Sequence, residues 1–138
     1  MGASVKNGTI INFSKIARNV GVNDKTVQKY FIILEDTLLG FFLEAFSHSF
    51  RKRLSKSPKF YFFDTGVVRA LSNQLSVPLQ ERTHAYGYAF EHFILLQCKA
   101  MASYNQLEYR LSYLKTKDGA EIDLVVERPG LPMLNLLY

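Results

Sequence analysis

The chain has 138 residues, 48% of them hydrophobic and 14% aromatic, enough to bury one sizeable core or two small ones. No run of about 18 consecutive apolar residues occurs, and the opening MGASVKNGTI lacks the apolar stretch of a signal peptide, so neither membrane spanning nor secretion is expected. The net charge of +5 is uneven: residues 1–59 carry ten Lys or Arg against four Asp or Glu (+6), residues 60–138 seven against eight (−1).

That asymmetry fits a phosphate-facing first half joined to a neutral second half, although a basic surface facing an acidic protein would give the same imbalance. The single Cys98 can form neither an internal disulfide nor a thiolate zinc cluster, which agrees with a cytoplasmic protein.

Taken in chain order, Phe13, Ile16, Ala17 and Val20 recur at i, i+3, i+4, i+7 and predict a short amphipathic helix, with Asn12 as its N-cap and Gly21 as its stop. Val27, Tyr30, Phe31, Leu34 and Leu38 repeat the spacing, so Asp24 to Thr37 is expected to be a second, longer helix capped by Asn23 or Asp24. Tyr30 and Phe31 are both expected to be buried. Phe41 to Phe46 reads as a strand, Arg51 to Lys59 as a basic loop, and Phe60 to Phe63 as a second strand. Asp64-Thr65-Gly66 should cap a short helix over Val67 to Leu71. The polar stretch Ser72 to Thr83 reads as a linker. Tyr86, Phe90, Phe93, Ile94, Gln97 and Met101 then mark a helix of about four turns. Leu107 to Leu114, the turn Lys117-Asp118-Gly119 and Glu121 to Glu127 form a hairpin with an Asp-Gly turn, and Pro132 to Tyr138 is a further strand.

Two helices joined by a glycine turn make a helix-turn-helix. Close packing needs a small residue on the first helix, a flexible turn residue and a β-branched residue inside the second, and Ala17, Gly21 and Val27 fill those places. The exposed face of the second helix would carry Asn23, Lys25, Gln28 and Lys29, types that hydrogen-bond phosphates and base edges. The loop containing Arg51, Lys52, Arg53 and Lys56 would form the wing of a winged helix. Winged helices also serve as protein-docking modules, so both partners stay open.

The succession of the Ala17-to-Gly21 turn, TVQKYFIILEDT, RKRLSKSPKFYFFDTG, GYAFEHFIL and YLKTKDGAEIDLVVE resembles the C-terminal region of prokaryotic AAA-superfamily ATPases, in which a P-loop domain precedes a winged helix and a domain of unknown function. The resemblance runs from about Phe13 to Glu127. It implies an α+β fold: a winged helix-turn-helix over residues 1–71, a linker over 72–85, and over 86–138 an incomplete restriction-endonuclease-like α/β lobe of the PD-(D/E)XK type. In such a lobe Glu91 would be the helix glutamate and Asp123 the strand aspartate, with Glu121 beside it, since strand side chains alternate.

The chemistry of that site needs clustered carboxylates around Mg²⁺ and a lysine, and Pro132 to Tyr138 holds neither an acid nor a lysine where Glu-x-Lys is expected. His48, His84 and His92 lack a ligand spacing, and no metal site is expected. No Gly-x-x-x-x-Gly-Lys-Ser/Thr occurs, so ATP and Mg²⁺ would belong to an ATPase domain outside this chain. The expected function is that of a non-catalytic C-terminal fragment of an AAA-type ATPase. Its partner would be DNA, the ATPase domain or another protein, with self-association through an exposed C-terminal strand. The alternative is a metal-dependent nuclease using Glu91 and Asp123.

Overall fold

The computed structural model describes residues 7–136 and is a mixed α+β structure. Helices α1 (Phe13–Val20) and α2 (Asp24–Asp36) begin where the caps predict. Asn12 Oδ1 accepts from the Lys15 N–H at 2.9 Å and Asn23 Oδ1 from the Lys25 N–H at 2.7 Å. Gly21 sits at φ 78° and its N–H donates to the Ala17 carbonyl at 2.8 Å, a left-handed stop that a side chain would strain. Ala17 and Val27 are buried, whereas Val20, in the last turn of α1, is exposed.

Tyr30 corrects the sequence reading, being 63% exposed. Successive helix positions point about 100° apart, so adjacent residues cannot share one buried direction. Phe31 takes it, with its ring 5.7 Å from Phe13 and 5.0 Å from Phe60.

Strands β1 (Gly40–Leu43) and β2 (Lys59–Phe62) pair antiparallel, from Gly40 opposite Phe62 to Leu43 opposite Lys59. The strand expected to reach Phe46 leaves this ladder after Leu43 and changes partner. Ala45 bridges Tyr113 in parallel, with the Phe46 N–H donating to the Tyr113 carbonyl at 2.6 Å and the Tyr113 N–H to Glu44 at 3.0 Å. The expected basic loop instead contains helix α3 (Phe50–Ser55), because FRKRLS holds no glycine or proline to break it, and Lys59 belongs to β2.

Helix α4 (Thr65–Leu71) is capped by Asp64, whose Oδ1 accepts the N–H groups of Gly66 at 2.5 Å and Val67 at 3.2 Å. Residues 72–83 hold no helix or strand. Helix α5 (His84–Tyr104) runs 21 residues, longer than expected, and a different side of it is buried. His92, Leu95 and Ala102 face inward, while of the stripe read from the sequence Tyr86, Phe90, Phe93, Gln97 and Met101 are exposed and Ile94 is half-buried against the core. A helix apolar on most sides offers two stripes of equal period, and only packing decides between them.

Strands β3 (Arg110–Lys115), β4 (Glu121–Glu127) and β5 (Leu134–Leu136) form an antiparallel sheet in that order. Gly119, at φ 87°, turns the first hairpin. Leu134 in β5 and Leu131 and Met133 just before it are exposed, as expected for an edge; residues 137 and 138 of the predicted last strand lie outside the described residues. Phe41, Leu43 and Tyr61 pack with Leu95, Tyr113, Leu124 and Val126, so the basic and the neutral halves contribute to one apolar cluster.

Candidate functional site

Two regions collect the candidate residues: a basic groove beside α2 and an acidic cleft beside β4. In the groove, Lys25, Gln28 and Lys29 follow one helix face and are exposed, and Asn23 is exposed but spends its side-chain oxygen on the cap of α2. Arg51 and Lys52 on α3, and Lys56 just after it, are exposed too. Gln28 and Lys56 line a common depression of about 230 Å³, floored by Phe13, Ile32 and Phe42. Among the described residues, none of Lys25, Lys29, Arg51, Lys52 and Lys56 makes a salt bridge, and one acid, Glu44, lines the depression beside Lys56.

Arg53 stands apart from its neighbours. It is 8% exposed, and its guanidinium grips Glu127 of β4 in a fork, Nη1 to Oε2 at 3.1 Å and Nη2 to Oε1 at 2.9 Å. Its Nε–H also donates to the Ser47 carbonyl, and its plane lies 5.4 Å from the Phe46 ring. A side chain held by these four contacts is a clamp between α3 and β4, and its charge is already spent on Glu127.

The acidic cleft, about 470 Å³, is bounded by Gly8 to Ile10, Lys59, Tyr88, Glu91, Lys115, Glu121 and Asp123. Strand alternation puts Glu121 and Asp123 on the same face of β4, as the sequence predicts, and α5 brings Glu91 to the opposite wall. The sequence reading missed Lys59. Its Nζ pairs with Glu121 and, at 3.1 Å, with Asp123, while lying 5.0 Å from the centre of the Tyr113 ring. Burial pushes the Glu91 carboxyl above its usual range, Asp123 adds to the rise, Lys59 opposes it and Glu121 contributes a smaller increase. Burial first, and then the neighbouring carboxylates, also raise the Tyr61 hydroxyl.

Among the described residues, no three His, Cys, Asp or Glu side chains are disposed to hold a metal ion. On β5, Asn135 stands opposite Val125, so no acid from the strand after β4 joins the set. The arrangement holds a lysine between carboxylates and ties β2 to β4. A charged residue opening the apolar strand KFYF was the available signal, because a lysine at such a position needs an internal partner.

Behind the cleft, His92 is buried and neutral in its bonding pattern. Its Nε2 meets the Phe62 carbonyl at 2.5 Å, and its Nδ1 lies 3.3 Å from the amide nitrogen of Asn7, whose oxygen accepts from the Phe62 N–H at 2.9 Å. Burial lowers its pKa, against a smaller upward pull from the Phe62 carbonyl.

No helix among the described residues is long and apolar enough to cross a membrane. The chain matches no solved structure. It is similar to two curated mycobacterial proteins, "Uncharacterized protein Mb2031c" of Mycobacterium bovis and "Uncharacterized protein Rv2008c" of Mycobacterium tuberculosis. Each is 32% identical over 125 residues, covering 91% of this chain and 27% of the relative, so the chain spans about a quarter of their length. Residues 86–133 match a second family model, described as "Domain of unknown function (DUF4143)". The match that covers more than half of the chain is to residues 3–77, the segment holding α1 to α4 and the basic groove, and by it the chain belongs to the family described as "Domain of unknown function (DUF8612)".

Proposed function

We propose that the chain is a non-catalytic, DNA-binding C-terminal portion of a larger AAA-type ATPase. In this reading α1, α2 and the β1–β2 pair form a winged helix, with α2 as the recognition helix and α3 as a helical wing. The segment from α5 to β5 is an incomplete restriction-endonuclease-like lobe that supports it. The observation carrying this reading is the set of five exposed cations on α2 and around α3, none in a salt bridge among the described residues, with Lys56 and Gln28 lining one depression. Phosphates would take the cations, and Gln28 would meet base edges in the major groove.

The AAA assignment rests on the motif resemblance together with the length of the mycobacterial relatives, which leaves room for a P-loop domain outside the matched 27%. Nucleotide chemistry would then belong to that domain, and the place of action would be the cytoplasm. Nuclease activity has less support, because Lys59 sits between Glu121 and Asp123 and β5 offers Asn135 in place of an acid.

The test is fluorescence anisotropy with a duplex oligonucleotide over a salt series. Five neutralised phosphates predict a slope of log K against log salt of about −4 to −5. Replacing Lys25, Lys29 and Arg51 by Ala should lower the slope's magnitude by about 3 and weaken binding in proportion. Binding that is absent, or indifferent to salt, would move the reading to a protein-docking module. Mg²⁺-dependent cleavage of the duplex that disappears in Asp123→Ala would establish the nuclease instead.

A further inference from the structure

Lys59 is 2% exposed, yet its ammonium lies at the wall of an open cleft. Glu121 and Asp123, two positions apart on one strand face, with Glu91 across from them, supply the hard oxygen donors that attract a divalent cation from water. Their charge is met here from inside the protein. Nζ pairs with both strand carboxylates and lies 5.0 Å from the centre of the Tyr113 ring, which favours a cation at its face.

The lysine cannot withdraw. Its backbone is paired with Leu43 in the β1–β2 ladder and bridged to Ile10 on the other side, and the adjoining Pro58 carbonyl accepts from the Ile11 N–H at 2.9 Å. A lysine on a loop could swing into solvent and leave the carboxylates to a metal ion. One whose backbone is paired on both sides, to Leu43 and to Ile10, and whose stem is buried remains where it is, and a metal entering the cleft would have to meet the ammonium at close range.

We infer that Lys59 is a built-in cation that closes the acidic cleft to divalent metal ions, and that this charge, not a bound ion, holds Glu121 and Asp123 in place. The inference is independent of DNA binding by the groove.

The experiment is a Mn²⁺ titration followed by electron paramagnetic resonance of the free ion, on the full chain and on Lys59→Met, which keeps the length of the stem and removes the charge. The full chain should show no saturable site up to about 1 mM Mn²⁺. Lys59→Met should gain one site at least about tenfold tighter than anything in the full chain, as expected when a unit charge leaves a partly buried cluster. Adding Asp123→Asn should remove that site again, and Lys59→Arg should keep the cleft closed. Saturable binding by the full chain that Asp123→Asn abolishes would overturn the inference, as would a folded Lys59→Met protein that gains no site. Should Lys59→Met fail to fold, amide NMR of the full chain decides. Paramagnetic broadening centred on residues 121–123 at sub-millimolar Mn²⁺ refutes the built-in cation, and unperturbed signals there support it.

Discussion

Replacing Arg53 by Ala separates a structural cation from the solvent-facing ones, to which DNA binding is proposed, within a single basic run. The substitution removes both arms of the fork on Glu127, the bond to the Ser47 carbonyl and the guanidinium beside Phe46. Removing one partner of a fully buried ion pair costs about 3–5 kcal/mol, because a charge is stranded. Glu127 is 28% exposed, so water recovers part of that, and the expected loss is about 2–3 kcal/mol. At about 3 °C per kcal/mol for a chain of this size, Tm should fall by about 6–9 °C. A double-mutant cycle with Glu127→Gln should return a coupling of about 1–3 kcal/mol, confirming that the loss passes through this pair. Measured well below its Tm, Arg53→Ala should bind duplex DNA as the unaltered protein does, whereas Arg51→Ala should weaken binding and leave Tm in place. An Arg53→Ala protein that melts normally, or that stays folded and loses DNA as Arg51→Ala does, would refute the clamp.

Other substitutions probe the rest of the frame. Because burial holds the His92 pKa below its unfolded value, the unfolded chain takes up the proton first. The stability this group contributes is therefore complete above the unfolded pKa of about 6.5 and is lost as pH falls through the folded pKa. Urea melts between pH 8 and pH 5 should show this fall, and His92→Gln should flatten it; an unchanged slope in the variant would assign the effect elsewhere. Gly21→Ala places a Cβ in open space but at φ 78°, so its cost should be conformational alone, about 1–2 kcal/mol by chemical denaturation. Leu124→Ala, at a position with no exposure, should cost about 2–5 kcal/mol and lower one common transition read by far-ultraviolet and near-ultraviolet dichroism; two separated transitions would show that the halves unfold independently.

Local signals in the sequence located most of the elements. Asn12, Asn23, Asp64 and Gly21 sit where their side chains or backbone freedom place them, and the Asp118-Gly119 turn sets the β3–β4 hairpin. Such signals act within a few residues and can be read without the fold. What the sequence concealed depended on distant partners. Nothing near Arg53 says that Glu127, 74 positions away, will claim it in place of solvent. Lys59 reads as the end of a basic loop until β2 is paired and β4 supplies its carboxylates. The buried stripe of α5 was misread for the same reason, since a helix with aromatic residues on several sides leaves the choice of face to whatever packs on it. Of the acidic cleft, Glu91, Glu121 and Asp123 were legible and the cation between them was not.

The change of partner at Ala45 has a consequence for recombining this chain with its relatives. The stretch between the two family matches, residues 78–85, looks like a natural crossover point, yet the chain that leaves β1 is bonded to β3 on the far side of it. A chimera joined there inherits one parent's Phe41, Leu43, Tyr61, Arg53 and Lys59 and the other's Leu95, Leu124, Glu121, Asp123 and Glu127. Hybrids should therefore fold only when these two sets are exchanged as matched pairs, whatever the sequence of the linker.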